Sequence, residues 1–147
     1  MFESLSTPRN RKRTFLLLAT ACAFAIGAAI VTVSDNPPGI LLAFLAATAF
    51  ILSFVHPWRT ARQYGLLLLA SVLGLLVFAV LHNVFEAAGG KTAGVGVIQG
   101  LLQGLGVAAF LLAIMICPPA MLVGAVGWVI TLIRNRRRPV GNPSTNP

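Results

Sequence analysis

The chain has 147 residues, of which 57% are apolar and only 10% are charged, and its formal net charge is +8. A soluble globular domain has about 25% charged residues and about 45–50% apolar ones. The composition therefore excludes a soluble enzyme domain, an acidic disordered chain and a disulfide-rich secreted module, and it indicates an integral membrane protein.

Long apolar runs predict helices that span the membrane. A helix needs about 20 apolar residues to cross about 30 Å of hydrocarbon. The first run, residues 14–33, meets this length and carries no charge, so we interpret it as a retained span and not as a cleaved signal peptide. A polar turn at 34–38 ends this span, and its two prolines are suited to the start of the next helix.

Two further apolar runs follow, at 39–55 and 63–86, and a short basic loop at 56–62 separates them. The second run is at the short end of the range for a span, and the third is long enough. Because the connections on both sides of the second run are short, we expect each pair of neighbouring spans to be antiparallel.

The rest of the chain has two possible divisions, because it is too long for one upright helix at about 1.5 Å per residue. In the first, residues 87–106 form an outer loop and a Gly/Gln-rich interfacial or packing helix, and residues 107–133 form one span kinked at Pro118-Pro119. In the second, the segments before and after the two prolines are separate spans.

The positions of the basic residues decide between these divisions. With four spans, every basic residue except Lys91 lies on one side of the bilayer, as the positive-inside rule requires. We therefore predict an all-α membrane protein, an up-down bundle of four transmembrane helices with both termini cytoplasmic and basic tails at 1–13 and 134–147. The short loops and the absence of organelle-targeting features point to a bacterial plasma membrane.

Aromatic and basic side chains near the inner boundary are interpreted as membrane anchors. Trp rings favour the membrane interface, and each basic residue near the surface gains about 1 kcal/mol from anionic headgroups. The predicted anchors are Arg13, Trp58, Arg59, Arg62, Trp128 and Arg134. The basic loop has a second interpretation, as a docking patch for a cytoplasmic partner. No aromatic platform or folded module accompanies the charge, so nucleic-acid binding is not expected.

Few ionisable residues lie within or beside the spans, and such residues are functional hypotheses by default. His82 and Glu86 are four residues apart at the outer end of the third span, so they share a helical face. Together with Asp35 and Asn83 they form a candidate polar cluster for a cation or a proton. The alternative is a helix end that turns polar at the headgroups. One histidine and one carboxylate do not make a metal site, and we expect neither a metal nor another cofactor.

A glycine- and glutamine-rich segment is the most informative stretch. Gly96, Gly100 and Gly104 recur every four residues, and Gln99 and Gln103 recur one position earlier. On a helix the glycines form a groove with a polar edge, and such grooves let helices approach closely in lipid. Packing within one chain, self-association and a re-entrant or pore-lining element are the three possible roles.

The chain has no Ser/His/Asp arrangement, HExxH motif, phosphate-binding glycine loop or nucleophile elbow. We therefore expect a non-enzymatic multi-pass protein that packs with itself or with a larger membrane complex. The alternative is a small oligomeric transporter or channel whose polar path uses His82, Glu86, Gln99 and Gln103. A lipid-modifying membrane enzyme based on His82 and Glu86 is the third hypothesis. Convergence of these four side chains on one cavity would favour the second and third hypotheses.

Overall fold

The computed structural model of the chain describes residues 8–33, 36–91 and 96–136. Its elements are α1 (Pro8–Val31), α2 (Pro37–Val55), α3 (Ala61–Lys91), α4 (Gly96–Leu111), a π-helical segment (Leu112–Ile116) and α5 (Cys117–Arg136). The last three continue as one helical run, so the described residues form four helical runs that are long and apolar enough to cross a membrane. The chain is therefore an all-helical protein with four candidate spans.

Two antiparallel hairpins build the bundle. In the first, α1 packs on α2; in the second, α3 packs on α4 and α5. The hairpins meet where α2 contacts α5 and the π segment, and α1 makes its main contacts with α2. Near the start of α1, the Thr14 hydroxyl oxygen lies 3.4 Å from the carbonyl oxygen of Ser53 at the end of α2. Much of the surface of α1 is therefore left for lipid.

The turn between α1 and α2 depends on a close backbone approach. Thr32 follows the end of α1 with a φ of 66°, in the left-handed region that often ends helices. The side-chain amide of Asn36 donates to the carbonyl oxygen of Val31 at 2.9 Å, so it satisfies the end of α1 and does not cap α2. On the other side of the turn, Gly39 is buried, and a Cβ there would overlap the carbonyl oxygen of Thr32.

The third helix is longer at both ends than the apolar run that predicted it. It begins at Ala61, where the Gln63 side-chain oxygen accepts hydrogen bonds from the Thr60 hydroxyl at 2.9 Å and from the Thr60 backbone N–H at 3.4 Å. Thr60 and Gln63 have the spacing of a capping box, which stabilises helix starts. The helix continues through Lys91 because Gly89 is buried against α4.

The helical run from Gly96 to Arg136 has 41 residues, about 60 Å at 1.5 Å per residue and about twice the hydrocarbon thickness. The described residues form this run as one continuous helix that lies along α3. The sequence boundary between residues 106 and 107 falls inside this run, whereas residues 87–91 belong to α3. The run is long enough to cross the bilayer and to continue beyond it.

Glycines form the seam between α3 and this last run. A Cβ at Gly124 would lie 2.9 Å from the backbone nitrogen of Leu68, and one at Gly127 would overlap the Tyr64 ring. Further along the seam, a Cβ at Gly74 would lie 3.5 Å from the Cys117 sulfur. Small residues allow this close approach, which favours helix association in lipid through van der Waals contact.

The irregular part of the last run lies just before the two prolines. Its π segment covers Leu112–Ile116, and α5 continues through Pro118 and Pro119. A proline has no N–H, and its ring clashes with the carbonyl four residues earlier. The wider π turn contains those carbonyls and gives them room. The sequence predicts a kink at the two prolines. The departure from α-helical geometry instead lies in the turn that precedes them.

The main buried cluster lies where α2 meets α5, and it contains Ile51, Val55, Ala120 and Val123. Large apolar side chains cover the outer faces of the helices, as Leu73, Leu76 and Val80 do on α3. Soluble monomers rarely expose apolar patches of this extent. The surface therefore fits a bilayer and does not fit water.

Replacing Gly124 by alanine tests the glycine seam. Alanine favours a helix over glycine by about 1 kcal/mol, so propensity alone predicts stabilisation. The overlap with the Leu68 backbone should instead lower the free energy of unfolding by about 1–3 kcal/mol. Gly90→Ala is the matched control on α3, since a Cβ there meets nothing within 4 Å. Denaturant titration of helicity in detergent would measure the stability of both variants. Equal stability of the two would contradict close packing at the glycine seam.

Candidate functional site

Polar side chains gather at the two ends of the bundle. The basic end contains the start of α1, the 56–60 connection and the end of α5; the opposite end contains the end of α3 and the start of α4. Hydroxyl groups between the ends donate to carbonyl oxygens of their own helices, as seen for Thr20 to Leu16, Thr48 to Phe44 and Ser71 to Leu68. The two ends are therefore separate candidate sites.

At the opposite end, His82 reaches from α3 to α4. Its Nδ1 lies 3.0 Å from the carbonyl oxygen of Gly106, and because a carbonyl oxygen only accepts, Nδ1 carries the hydrogen. Its Nε2 lies 3.6 Å from a carboxylate oxygen of Glu86, so the two groups form an ion pair only when Nε2 also carries a proton. The ring lies against Phe110, with centroids 5.1 Å apart. These contacts fix the orientation of the imidazole.

A cavity of about 440 Å³ opens beside this pair, between α3 and α4. His82, Glu86 and Gln103 are its polar lining residues, and Gln99 is not part of the lining. The Glu86 side chain is 72% exposed, so the pair lies at the rim of the bundle and not within it. The structure thus brings together three of the four residues of the predicted polar path.

The other members of the predicted polar cluster lie elsewhere. Asn83 donates its side-chain amide to the carbonyl oxygen of Ala79 at 2.7 Å and lines a separate apolar groove with Leu76 and Val80. Asp35 lies outside the described residues. Within the described ranges, no three His, Cys, Asp or Glu side chains are grouped closely enough to hold a metal ion. The chemistry available at this end is therefore a proton or a weakly held cation between an imidazole and a carboxylate.

The predicted packing glycines face away from α3. A Cβ at Gly96, Gly100 or Gly104 would meet nothing within 4 Å, and all three residues are exposed. The side of α4 that packs on α3 contains Gly106 and Ala109, which are both buried. We call Gly96, Gly100 and Gly104 the glycine face. The described chain leaves this face without a packing partner.

At the basic end, the predicted anchors lie near the start of α1, around the start of α3 and toward the end of α5. The rings of Trp58 and Tyr64 meet edge to face with centroids 5.5 Å apart, and the Tyr64 hydroxyl donates to the carbonyl oxygen of Val55 at 3.3 Å. Trp128 lies on α5 beside Gly65, where a Cβ would be 3.7 Å from its ring. The predicted basic anchors are all exposed, namely Arg13, Arg59, Arg62 and Arg134.

Two of these arginines line a cavity of about 510 Å³, which we call the basic cavity. Arg59 comes from the connection between α2 and α3, and Arg134 comes from the last turn of α5. His56 and Thr131 also line it; His56 belongs to the basic loop that the sequence analysis interprets as an anchor or a docking patch, and Thr131 was not a candidate. The sequence feature that points to His56 is its position beside a proline in the basic loop. Thr131 could not be identified without knowing how α5 packs.

Replacing His82 by phenylalanine tests the contact between α3 and α4. The variant keeps a ring against Phe110 but loses the hydrogen bond to Gly106, which should lower the free energy of unfolding by about 0.5–1.5 kcal/mol. Asn83→Leu is the matched control, because Asn83 bonds only within its own helix. Thermal unfolding in detergent would compare them, and an equal loss in both variants would contradict the His82 contact.

The geometry gives the chain two chemically different ends. One has a histidine–carboxylate pair beside a glutamine, and the other has arginines, a histidine and aromatic rings around a cavity. The glycine face forms a third feature on α4. No family model matches the chain, and no curated protein or solved structure is significantly similar to it.

Proposed function

We propose that the chain is a non-enzymatic packing or accessory subunit in a membrane. In this proposal it associates with a second copy of itself through the glycine face. The observation that carries this proposal is that a Cβ added at Gly96, Gly100 or Gly104 would meet no other part of the described chain within 4 Å. A groove of this kind gains little from lipid chains but allows close contact with another helix.

The surroundings of the glycine face support a second copy as the occupant. Val97 and Leu101 project beside the glycines and are 86% and 63% exposed. A ridge of large apolar side chains beside a groove of glycines is self-complementary, because the ridge of one copy fits the groove of the other. Such a surface suits a two-fold interface, the commonest symmetry of oligomers.

In this proposal the basic end faces the cytoplasm and the membrane is a bacterial plasma membrane. Support comes from the sequence positions of the basic residues, which all fall at the basic end or in the adjoining tails, except Lys91 at the end of α3. The positive-inside rule assigns such an end to the cytoplasmic side. The glycine face would then lie toward the outer side of the bilayer.

Energy transfer between labelled copies in lipid vesicles tests the self-association. The native chain should dimerise, and Gly100→Leu should weaken the dimer about tenfold or more because the side chain fills the groove. Gly90→Leu is the control, since that glycine also faces open space but lies outside the glycine face. A native chain that stays monomeric at every protein-to-lipid ratio, or equal losses in the two variants, would overturn the proposal in favour of a larger complex.

The cavity at the opposite end supports a second candidate, a small oligomeric transporter or channel. His82, Glu86 and Gln103 share this cavity, but the hydroxyl groups between the two ends bond within their own helices. A polar path would therefore have to be completed by neighbouring copies. Gln99 lies next to the glycine face in sequence and could join the path only at such an interface.

Ion flux into vesicles tests this second candidate. Vesicles with the native chain should take up protons or potassium faster than empty vesicles, and Glu86→Gln should abolish the difference because the carboxylate charge is lost. Asn83→Ala is the control, since Asn83 lines a different groove. Native vesicles that leak no faster than empty ones would refute a transport role.

A further inference from the structure

The basic cavity is far from the glycine face, and its role is independent of the proposed self-association. It lies between the 56–60 connection, the first turn of α3 and the last turns of α5. Its volume of about 510 Å³ is within the usual range of small-molecule sites, about 300–1,000 Å³. The cavity therefore has room for a ligand of headgroup size.

The charge around the basic cavity favours an anion. Arg59 and Arg134 line it from two different elements. Glu86 is the only acidic residue among those that the structure describes, and it lies near the other end of α3. Two guanidinium groups brought together without a carboxylate repel each other, and an anion placed between them would remove this repulsion. Arginine is also the side chain whose geometry best matches phosphate oxygens.

A buried polar atom also points to a missing partner. The Nδ1 of His56 lies 3.1 Å from the carbonyl oxygen of Ser53 and donates to it. Its Nε2 is fully enclosed and has no hydrogen-bond partner among the described residues. Enclosed polar atoms nearly always have a partner, and because Nδ1 holds the hydrogen, the partner that Nε2 lacks is a hydrogen-bond donor such as a hydroxyl group. The hydroxyl hydrogens of Tyr64 and Thr131 are already donated to carbonyl oxygens of Val55 and Gly127.

An apolar groove lies beside the basic cavity. It has a volume of about 360 Å³ and lies between α2 and α5, where Leu52, Leu122 and Val126 are among its lining residues. It shares Tyr64 and Gly127 with the cavity, and it extends toward Thr48 in the middle of α2. A polar cavity beside an apolar groove matches a molecule that has an anionic headgroup and a hydrocarbon chain.

We propose that the basic cavity binds the phosphate of one anionic phospholipid, with an acyl chain of that lipid in the groove. Arg59 and Arg134 hold the phosphate oxygens through charge-assisted hydrogen bonds. Trp58 and Tyr64 place the cavity at the depth where aromatic rings meet headgroups. This is a discrete site for one molecule, which distinguishes it from general attraction of a basic surface to an anionic membrane.

Native mass spectrometry of the delipidated full chain with added phosphatidylglycerol tests the site. Arg59→Gln with Arg134→Gln removes the cavity pair, and Arg11→Gln with Arg136→Gln removes the same net charge from exposed positions outside the cavity. The cavity variant should bind the lipid about tenfold or more weaker, as expected for lost charged hydrogen bonds. The control variant should bind it as the native chain does.

Two further comparisons separate a lipid from a soluble phosphate. Glycerol phosphate carries the same headgroup chemistry without acyl chains and should bind much more weakly than the lipid. Val126→Trp fills the groove at an exposed position, so it should weaken lipid binding and leave the helicity of the chain unchanged. Phosphatidylcholine should bind less well than phosphatidylglycerol, because its own cation leaves the arginine charges unbalanced.

Equal losses in the two arginine variants would overturn the proposal, because they would show general electrostatic attraction. Unchanged binding in the cavity variant would overturn it as well. If glycerol phosphate binds as tightly as the lipid and Val126→Trp has no effect, the cavity is a soluble-phosphate site and the lipid assignment is wrong. Self-association through the glycine face stays unaffected by any of these results.

Discussion

The close approach of α3 to the last helical run is the constraint on which the other features of the structure depend. In lipid there is little hydrophobic force between helices, so packing of backbone against backbone must supply the attraction. Gly124 and Gly127 provide it near the basic end by admitting the Leu68 backbone and the Tyr64 ring. The same alignment brings Gly106 under His82 at the opposite end. Both candidate sites are therefore built across one helix pair.

The sequence predicts the four long apolar helices because the length of an apolar run is a local property. Apolar runs of about 20 residues with basic residues at alternate ends permit few other assignments of the helices. The ends of the helices are harder to predict from the sequence, since they depend on contacts with other helices. The third helix passes the end of its apolar run because Gly89 packs on α4, and α4 joins α5 because α3 supports both. No pattern within either segment contains that information.

The candidate sites, like the helices, can be predicted from sequence only where their residues are close together along the chain. Spacing along one helix places His82 near Glu86, with Nε2 3.6 Å from a carboxylate oxygen, whereas Asn83, one residue on, points about 100° away and bonds to its own helix. Gln103 joins the pair only through the alignment of two helices. Glycine periodicity identified the face at 96, 100 and 104 but not the glycines that pack inside the chain, because periodicity does not reveal which face meets a neighbour. Arg59 and Arg134 share a cavity although they are far apart in sequence.

The π segment between α4 and α5 sets the rotational phase of α4. A turn that holds an additional residue offsets everything before it by about 100° relative to a continuous α-helix. Gly106 and Cys117 both lie against α3, on opposite sides of the segment. Loss of one residue between Leu112 and Ile116 would restore α geometry without rotating α4, because the wide turn already absorbs one extra residue. A further residue inserted there would rotate α4 by about 100° and carry Gly106 away from His82. The length of the wide turn therefore determines which side of α4 is available to another molecule.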